Sequence, residues 1–287
     1  MLQSLQHRRV GYINTFRNGR IFIGPDWHLL LTSFVLIFVG SLLFICYTNT
    51  ITAARVFVSL FSVLSLVFLL LTGLRNPGIA PRDAPPPPEA SPREHRFVEY
   101  SYRKADGSAA VHKAEQKWCY CCNAYRPPRG IHCRFCDVCV TRRDHHCPWT
   151  GICVGGCNYR SYFLLVWSCF GLNLTAFIGG VRSFAARMHA APSQRFRTAL
   201  VSTYGIEFVL ILFTVFWGLM VGMLAVYHSY LVSQNLTSGD GQRHMPENVF
   251  HQGGLFANAK ATLCFQADET ITNNRLDAAE EIVVTTL

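Results

Sequence analysis

The sequence predicts an α-helical integral membrane protein, with four transmembrane helices and a cytosolic, cysteine-rich, two-zinc domain between the second and third. Three observations carry this. The chain of 287 residues is 50% hydrophobic and only 15% charged, well below the quarter or so of charged residues usual in soluble domains. The apolar residues fall into four blocks, each long enough to cross the ~30 Å hydrocarbon layer as a helix. Nine of the 12 cysteines lie between Cys119 and Cys157. They cluster at metal-ligand spacing instead of scattering as a disulfide framework, which implies a reducing compartment.

Residues 1–26 read as a polar, basic arm with Arg8, Arg9, Arg17 and Arg20, closed by the turn Gly24-Pro25-Asp26. No apolar core of a secretory signal is visible in it. The first span is 27–47, with Trp27 and Tyr47 at its ends where interfacial aromatics belong. Thr48-Asn49-Thr50 turns the chain into the second span, 51–74. Arg55 lies near the outer end of that span, where its stem can snorkel. The long polar segment 75–161 follows, with a proline-rich linker at Pro85–Pro88 and an alternating stretch, Phe97–Tyr102, that reads as a strand. Its zinc domain covers about 117–160, where Pro127-Pro128 and Gly130 break any long helix. The third span is 162–181, with Gly171, Gly179 and Gly180 permitting close helix packing. A lumenal or extracellular loop, 182–205, leads to the fourth span, 206–232. The tail 233–287 is polar, mildly amphipathic around Val249–Phe265, then acidic.

Charge distribution orients the chain. The segment from Arg75 to Arg160 holds 14 Lys and Arg, and the N-terminal arm holds 4, against 4 Arg in the 182–205 loop. The positive-inside bias puts both termini and the cysteine-rich segment in the cytosol. The net charge of +9 therefore faces lipid head groups or a phosphate-bearing ligand. It does not point to nucleic acid, because the basic residues are tethered between membrane spans. The sequons at Asn173 and Asn235 lie in a span and on the cytosolic side, so neither is expected to carry glycan. A conducting pore is hard to build from spans whose only charges, Arg55 and Glu207, lie near their ends.

The centre of the chain is Asp144-His145-His146-Cys147-Pro148-Trp149. A C-x2-C pair at Cys119/Cys122 and a run of Cys133, Cys136 and Cys139 at the same spacing are a strong zinc signature, since two thiolates so spaced grip one ion from a tight turn. Together with His132, His145 and His146, the nine cysteines are too many ligands for one tetrahedral zinc and about right for two. At Cys147 a thiol stands beside imidazoles with a carboxylate nearby, the pattern of an activated nucleophile. Cys147 lies 15 residues before Tyr162, so it is expected near the membrane interface.

The order Cys119-x2-Cys122-x9-His132-Cys133-x2-Cys136-x2-Cys139-x4-Asp144-His145-His146-Cys147-x5-Cys153-x4-Asn158 resembles the DHHC family of protein S-acyltransferases (palmitoyltransferases). The resemblance extends over about residues 20–262, mostly as hydropathy outside the cysteine-rich core. It departs from the family's usual pattern in Tyr162 for Phe, in Asn76-Pro77-Gly78 for Asp-Pro-Gly, and in Thr237-Ser238-Gly239-Asp240 for Thr-Thr-x-Glu. Asn248-Val249-Phe250, Gly253 and Asn258 resemble its C-terminal motif.

The resemblance implies two structural Zn²⁺ ions, one on Cys119, Cys122, His132 and Cys139, the other on Cys133, Cys136, His146 and Cys153. It implies a ping-pong transfer in which Cys147 takes a long-chain acyl group from palmitoyl-CoA and passes it to cysteine thiols of membrane-associated proteins. His145 is then the base or ion-pair partner and Asp144 its orienting carboxylate. Cys121 and Cys157 are surplus to the ligand count. Arg126, Arg129 and Arg134 either receive the CoA phosphates or form a solvated basic face. Trp149 either meets the start of the acyl chain or anchors at the interface, and Gly171 or Leu172 is a candidate for setting chain length. The implied setting is the Golgi, another endomembrane or the plasma membrane, with the bilayer, protein substrates, and an accessory subunit or a second copy as partners. The terminal Thr285-Thr286-Leu287 matches a short PDZ-type ligand. The alternative is a catalytically silent zinc-binding membrane scaffold or accessory subunit. A zinc ubiquitin ligase would not need Asp-His-His-Cys.

Overall fold

The computed structural model describes residues 8–17, 19–48, 51–80, 96–103, 108–190, 204–240 and 248–265. The proline-rich linker, the acidic tail and its terminal tripeptide lie outside these residues. The chain forms two compact units. One is built from 28–71 and 161–228, the other from 1–27, 72–160 and 229–287.

The first unit is helical. Its elements are α1 (Trp27–Tyr47), α2 (Thr52–Gly73), α3 (Tyr159–Ala190) and α4 (Tyr204–Gln234), all four long and apolar enough to span a membrane. In hydrocarbon each backbone N–H must be satisfied within its own segment, which forces uninterrupted helices on such runs. The helices are apolar outward: Leu31, Val35, Phe38 and Leu42 form an exposed stripe on α1. Among what they bury are small and polar residues. The hydroxyls of Ser41 and Ser62 hydrogen-bond to each other between α1 and α2. Gly171 on α3 lies against the Phe61 ring, so closely that a Cβ there would stand 2.6 Å from a ring carbon. Phe44, Val58, Leu172 and Ala176 form the buried apolar cluster. Small residues and interhelical hydrogen bonds replace the hydrophobic drive that lipid removes.

The third helix overruns the 162–181 span at both ends. Residues 182–190, expected in the connecting loop, continue it. Ala185, Ala186, Arg187 and Met188 are good helix formers, and the extension has a tertiary role. Glu207 is fully buried, accepts a hydrogen bond from the Ser183 hydroxyl at 2.7 Å and pairs with the Arg187 guanidinium at 3.2 Å. Arg187 also donates to the Tyr47 carbonyl at 3.2 Å. The pair therefore ties α3 to the start of α4 and the end of α1.

The second unit is a set of small antiparallel ladders. Residues expected to form only a basic arm fold into a three-stranded sheet, β1 (Arg8–Val10), β2 (Ile13–Phe16) and β3 (Ile21–Ile23), in the order β1-β2-β3. Strands of three or four residues leave too short a pattern to read as sequence. What makes them a sheet is the core beneath, in which Ile13 and Phe22 pack with Ile79, Cys133, Cys136, Val138, Val140, Ile152 and Cys153. Gly11, at φ 59°, turns β1 into β2 directly over the Cys136 and Asp137 carbonyls. Only a residue without a Cβ fits there.

A long hairpin follows, β4 (Arg96–Arg103) with β5 (Ala109–Gln116), paired from Arg96↔Gln116 to Arg103↔Ala109. It contains the alternating Phe97–Tyr102 stretch. Three short hairpins complete the unit: β6 (Trp118–Cys119) with β7 (Ala124–Tyr125), β8 (Ile131–Cys133) with β9 (Val138–Val140), and β10 (His145–Cys147) with β11 (Ile152–Val154). The C-terminal segment adds α5 (Leu255–Leu263). Its Asn258 is fully buried, donating to the Ser233 carbonyl and accepting from the Gln252 N–H, both at 2.7 Å.

The Arg187–Glu207 pair generates a stability prediction. Arg187→Ala strips a buried carboxylate of its cation and should destabilise the helical unit by about 3–5 kcal/mol. The double change Arg187→Met with Glu207→Leu should recover most of that loss, because two apolar side chains leave no charge buried. Thermal unfolding midpoints in detergent for the two variants against wild type check this.

Candidate active site and metal centres

Two groups of side chains gather their ligand atoms within 4.8 Å of one another: Cys119, Cys122, His132 and Cys139, and Cys133, Cys136, His146 and Cys153. Zn–S near 2.3 Å and Zn–N near 2.0 Å in a tetrahedron put sulfur and nitrogen about 3.5 Å apart. The first group has His132 Nδ1 at 3.4 Å from Cys122 Sγ and 3.9 Å from Cys139 Sγ. The second has His146 Nδ1 at 3.7, 3.3 and 3.7 Å from the sulfurs of Cys133, Cys136 and Cys153. All six cysteines are buried. Hydrogen bonds from neighbouring thiols and burial push Cys136 and Cys139 above the ordinary thiol range, while hydrogen bonds from Cys136 and Cys153 lower Cys133. The donor sets, three thiols and an imidazole each, fit Zn²⁺ closely.

The hairpins explain why the two ligand sets interleave along the chain. Register places His132 directly opposite Cys139 across β8 and β9, and His146 directly opposite Cys153 across β10 and β11. Successive strand residues face opposite ways. His132 and Cys133 are neighbours on β8, so they must serve different ions. The same rule divides β10. His146 faces the sulfurs of the second cluster, while His145 and Cys147 share the other face.

On that face the reactive groups meet. His145 Nδ1 lies 2.6 Å from Asp144 Oδ2, which leaves Nε2 for the Cys147 thiol. Burial opposes charging the ring, but hydrogen bonds with Asp144 and Cys147 outweigh it and raise His145 to about 9. Burial likewise opposes the Cys147 thiolate, and the hydrogen bond and charge of His145 still hold that thiol below its usual range. Cys147 is 7% exposed, at the head of a 3₁₀ turn, Pro148–Thr150, that closes through Gly151 in the left-handed region. Trp149, on this turn, is 48% exposed. The arrangement sets a thiol held below its usual range beside an imidazole held above its own, with a buried carboxylate on the imidazole's Nδ1.

Asp144 is itself held from far along the chain. Its backbone N–H donates to the Val154 carbonyl at 2.9 Å. Its carboxylate accepts the Ser238 N–H at 2.7 Å and the Ser238 hydroxyl at 3.1 Å. Thr237-Ser238-Gly239-Asp240 was read from sequence only as a variant motif, and its Ser238 was not singled out as a site residue. The same segment takes up Arg129, which is buried. Its guanidinium donates to Asp240 from Nε at 3.1 Å and to the Asn235 carbonyl at 2.8 Å, and covers the Phe250 ring. Arg129 also lines the cleft that holds Arg126. Arg134 lies over the Phe135 ring. Arg126 lines a cleft of about 440 Å³ with Tyr100, His112, Lys117, Pro127 and Ile131. Cys121 is exposed and Cys157 half-buried, and neither belongs to a ligand cluster. Asn158 is fully buried and binds three backbone groups, the carbonyls of Thr72 and Cys153 at 3.0 Å and the Gly155 N–H at 2.8 Å. Asn76 accepts the N–H groups of Gly78 and Ile79 at 2.9 Å.

The family model of the DHHC palmitoyltransferase matches residues 112–245. Among named proteins, the chain is 30% identical over 286 residues to Protein S-acyltransferase 8 of Arabidopsis thaliana, covering 92% of this chain and 70% of that one. It is 32% identical over 273 residues to Probable protein S-acyltransferase 7 of the same plant, covering 86% and 60%. With the human Palmitoyltransferase ZDHHC9 it shares 28% over 291 residues, covering 91% and 77%. The matched segment runs from the long β4–β5 hairpin past Asp240, and so contains both ligand clusters, the Asp144–His145–Cys147 group and the segment that orients it: the chain belongs to the DHHC palmitoyltransferase family and carries that family's acyltransferase domain.

Proposed function

We propose that the protein is a protein S-acyltransferase in which Cys147 is the acyl carrier. The observation that carries this reading is the shared strand face of His145 and Cys147, with Asp144 behind the imidazole. In the first step the Cys147 thiolate attacks the thioester carbonyl of a long-chain acyl-CoA, and the C–S bond to CoA breaks. The CoA thiolate leaves. In the second step a thiolate of a protein substrate attacks the Cys147 thioester and Cys147 leaves as a thiolate. His145 holds the proton that each thiol gives up and returns it to the departing sulfur. One thioester replaces another, so the exchange is close to isoenergetic, and geometry and activation decide its rate. Bound to the two clusters, zinc supplies structural cross-links that hold β8 to β11 in place.

The four apolar helices and the basic excess of the segment between the second and third support a cytosolic site beside a membrane, in the Golgi, another endomembrane or the plasma membrane. Substrates are then proteins whose cysteines reach that membrane surface. Arg126 is the best candidate for a CoA phosphate. Its Nε is buried without a hydrogen-bond partner among the described residues, and its cleft also carries Lys117 and His112.

Autoacylation tests the central reading. Purified wild type, offered palmitoyl-CoA with a clickable tail, should acquire a hydroxylamine-sensitive label. Cys147→Ser should abolish it with both zinc ions retained. His145→Ala, which removes the charge-assisted partner of the thiolate, should slow labelling by about 10²–10⁴-fold. A folded, zinc-loaded wild type that takes no label would move the scaffold reading to the front.

The phosphate assignment has its own test. Arg126→Ala should raise KM for palmitoyl-CoA about tenfold, the loss of one charge-assisted contact. It should leave the rate with a short-headed acyl thioester that lacks phosphates unchanged. Equal losses with both donors would sink the assignment.

A further inference from the structure

The ring of His146 is fixed on three sides. Nδ1 faces the sulfurs of Cys133, Cys136 and Cys153. One face of the ring stacks on Phe135, centroids 4.9 Å apart. Its other nitrogen, Nε2, lies 2.7 Å from Oδ2 of Asp26. Asp26 comes from none of the zinc hairpins. It closes the Gly24-Pro25-Asp26 turn, 120 residues upstream in the chain.

The same turn makes a second contact nearby. The Asp26 N–H donates to the Gly151 carbonyl at 3.3 Å. Gly24 lies so close to that carbonyl that no side chain fits at position 24. Cys147 stands between the two attachment points, one residue after His146 and four before Gly151. Farther back, the Tyr12 N–H donates to the carbonyl of the ligand Cys136 at 2.9 Å. The N-terminal sheet is thus bonded to the second ligand cluster itself and to the turn that carries the nucleophile.

We infer that Asp26 is the outer carboxylate of the second metal centre and a positioning residue for Cys147, acting through His146. An imidazole that binds a metal through Nδ1 carries its proton on Nε2. A carboxylate on that proton selects the tautomer, fixes the ring plane and makes the metal-bound nitrogen more basic. Asp26 meets each requirement. The first cluster offers a comparison, because His132 also turns Nε2 to a carboxylate. That is Asp137, from the adjoining turn and farther off at 3.6 Å. The second centre draws its carboxylate from outside the cysteine-rich segment, which makes the residues before α1 a part of that centre.

The test reads metal retention on the full chain in detergent, so its outcome is independent of acyl transfer. Wild type, Asp26→Ala and Asp26→Asn are challenged with a chromophoric zinc chelator in the presence of a thiol-alkylating reagent. The cysteines that become modified are then identified by mass spectrometry. Loss of an outer-shell partner typically costs 10–100-fold in metal affinity. Asp26→Ala should therefore release one of the two ions about 10–100-fold faster. Alkylation should follow at Cys133, Cys136 and Cys153 while Cys119, Cys122 and Cys139 stay protected. Asp26→Asn keeps an acceptor without the charge and should fall between wild type and Asp26→Ala. Asp137→Ala should give the reverse footprint. In cobalt-substituted protein, Asp26→Ala should shift the d–d bands of one ion only. Wild-type release and footprint in Asp26→Ala would overturn the assignment. So would simultaneous exposure of both cysteine sets, which would mark Asp26 as a general folding contact.

Discussion

The structure of the reactive site depends on the alternation of side chains along one three-residue strand. His145, His146 and Cys147 are consecutive, and a β-strand must send the middle one away from its neighbours. Sending His146 to the metal puts His145 and Cys147 on a common face. The strand cannot slip by one residue to exchange the histidines. Such a shift would pull His146 from three buried sulfurs and break its register opposite Cys153. The geometry of the second ligand cluster, the strand register and the pairing of His145 with Cys147 are therefore one constraint.

Ladders of two or three residues do not hold themselves in water. Here two buried cysteine–histidine clusters suited to zinc stand where a large apolar core would, and distant segments supply the remaining anchors. Asp26 reaches His146 from the N-terminal turn, Ser238 reaches Asp144 from beyond α4, and Asn158 binds backbone at Thr72, Cys153 and Gly155. Each anchor meets the reactive strand, its partner strand or the carboxylate before it. The buried Arg129–Asp240 pair serves the same purpose one step back, closing the loop that carries Ser238.

Two of the three departures from the family's usual motifs have a local account. At position 76 an amide oxygen accepts the N–H groups of Gly78 and Ile79. That task needs an acceptor rather than a charge, so Asn can stand where the resemblance leads one to expect Asp. At position 240 the shorter acid still accepts from Arg129 and from the Thr237 N–H and hydroxyl. Both substitutions keep the hydrogen bonds that close their turns.

Sequence alone determined what depends on composition and close spacing. Four uninterrupted apolar runs leave no alternative to helices in hydrocarbon, and paired cysteines two residues apart announce metal. Asp144, His145 and Cys147 stood out because a carboxyl, an imidazole and a thiol lie within four consecutive positions. Tertiary structure alone decided the rest. The N-terminal sheet was invisible because its strands are shorter than a readable period and are made by the core beneath them. The extension of α3 through 182–190 was missed because its reason is an ion pair with Glu207 on another helix. The ion pair of Arg129 was hidden because sequence shows a charge and not its partner, which lies 111 residues away. Asp26 and Ser238 carried no signal of their role. A single carboxylate or hydroxyl far from a motif gains chemical meaning only from the atom that folding places beside it.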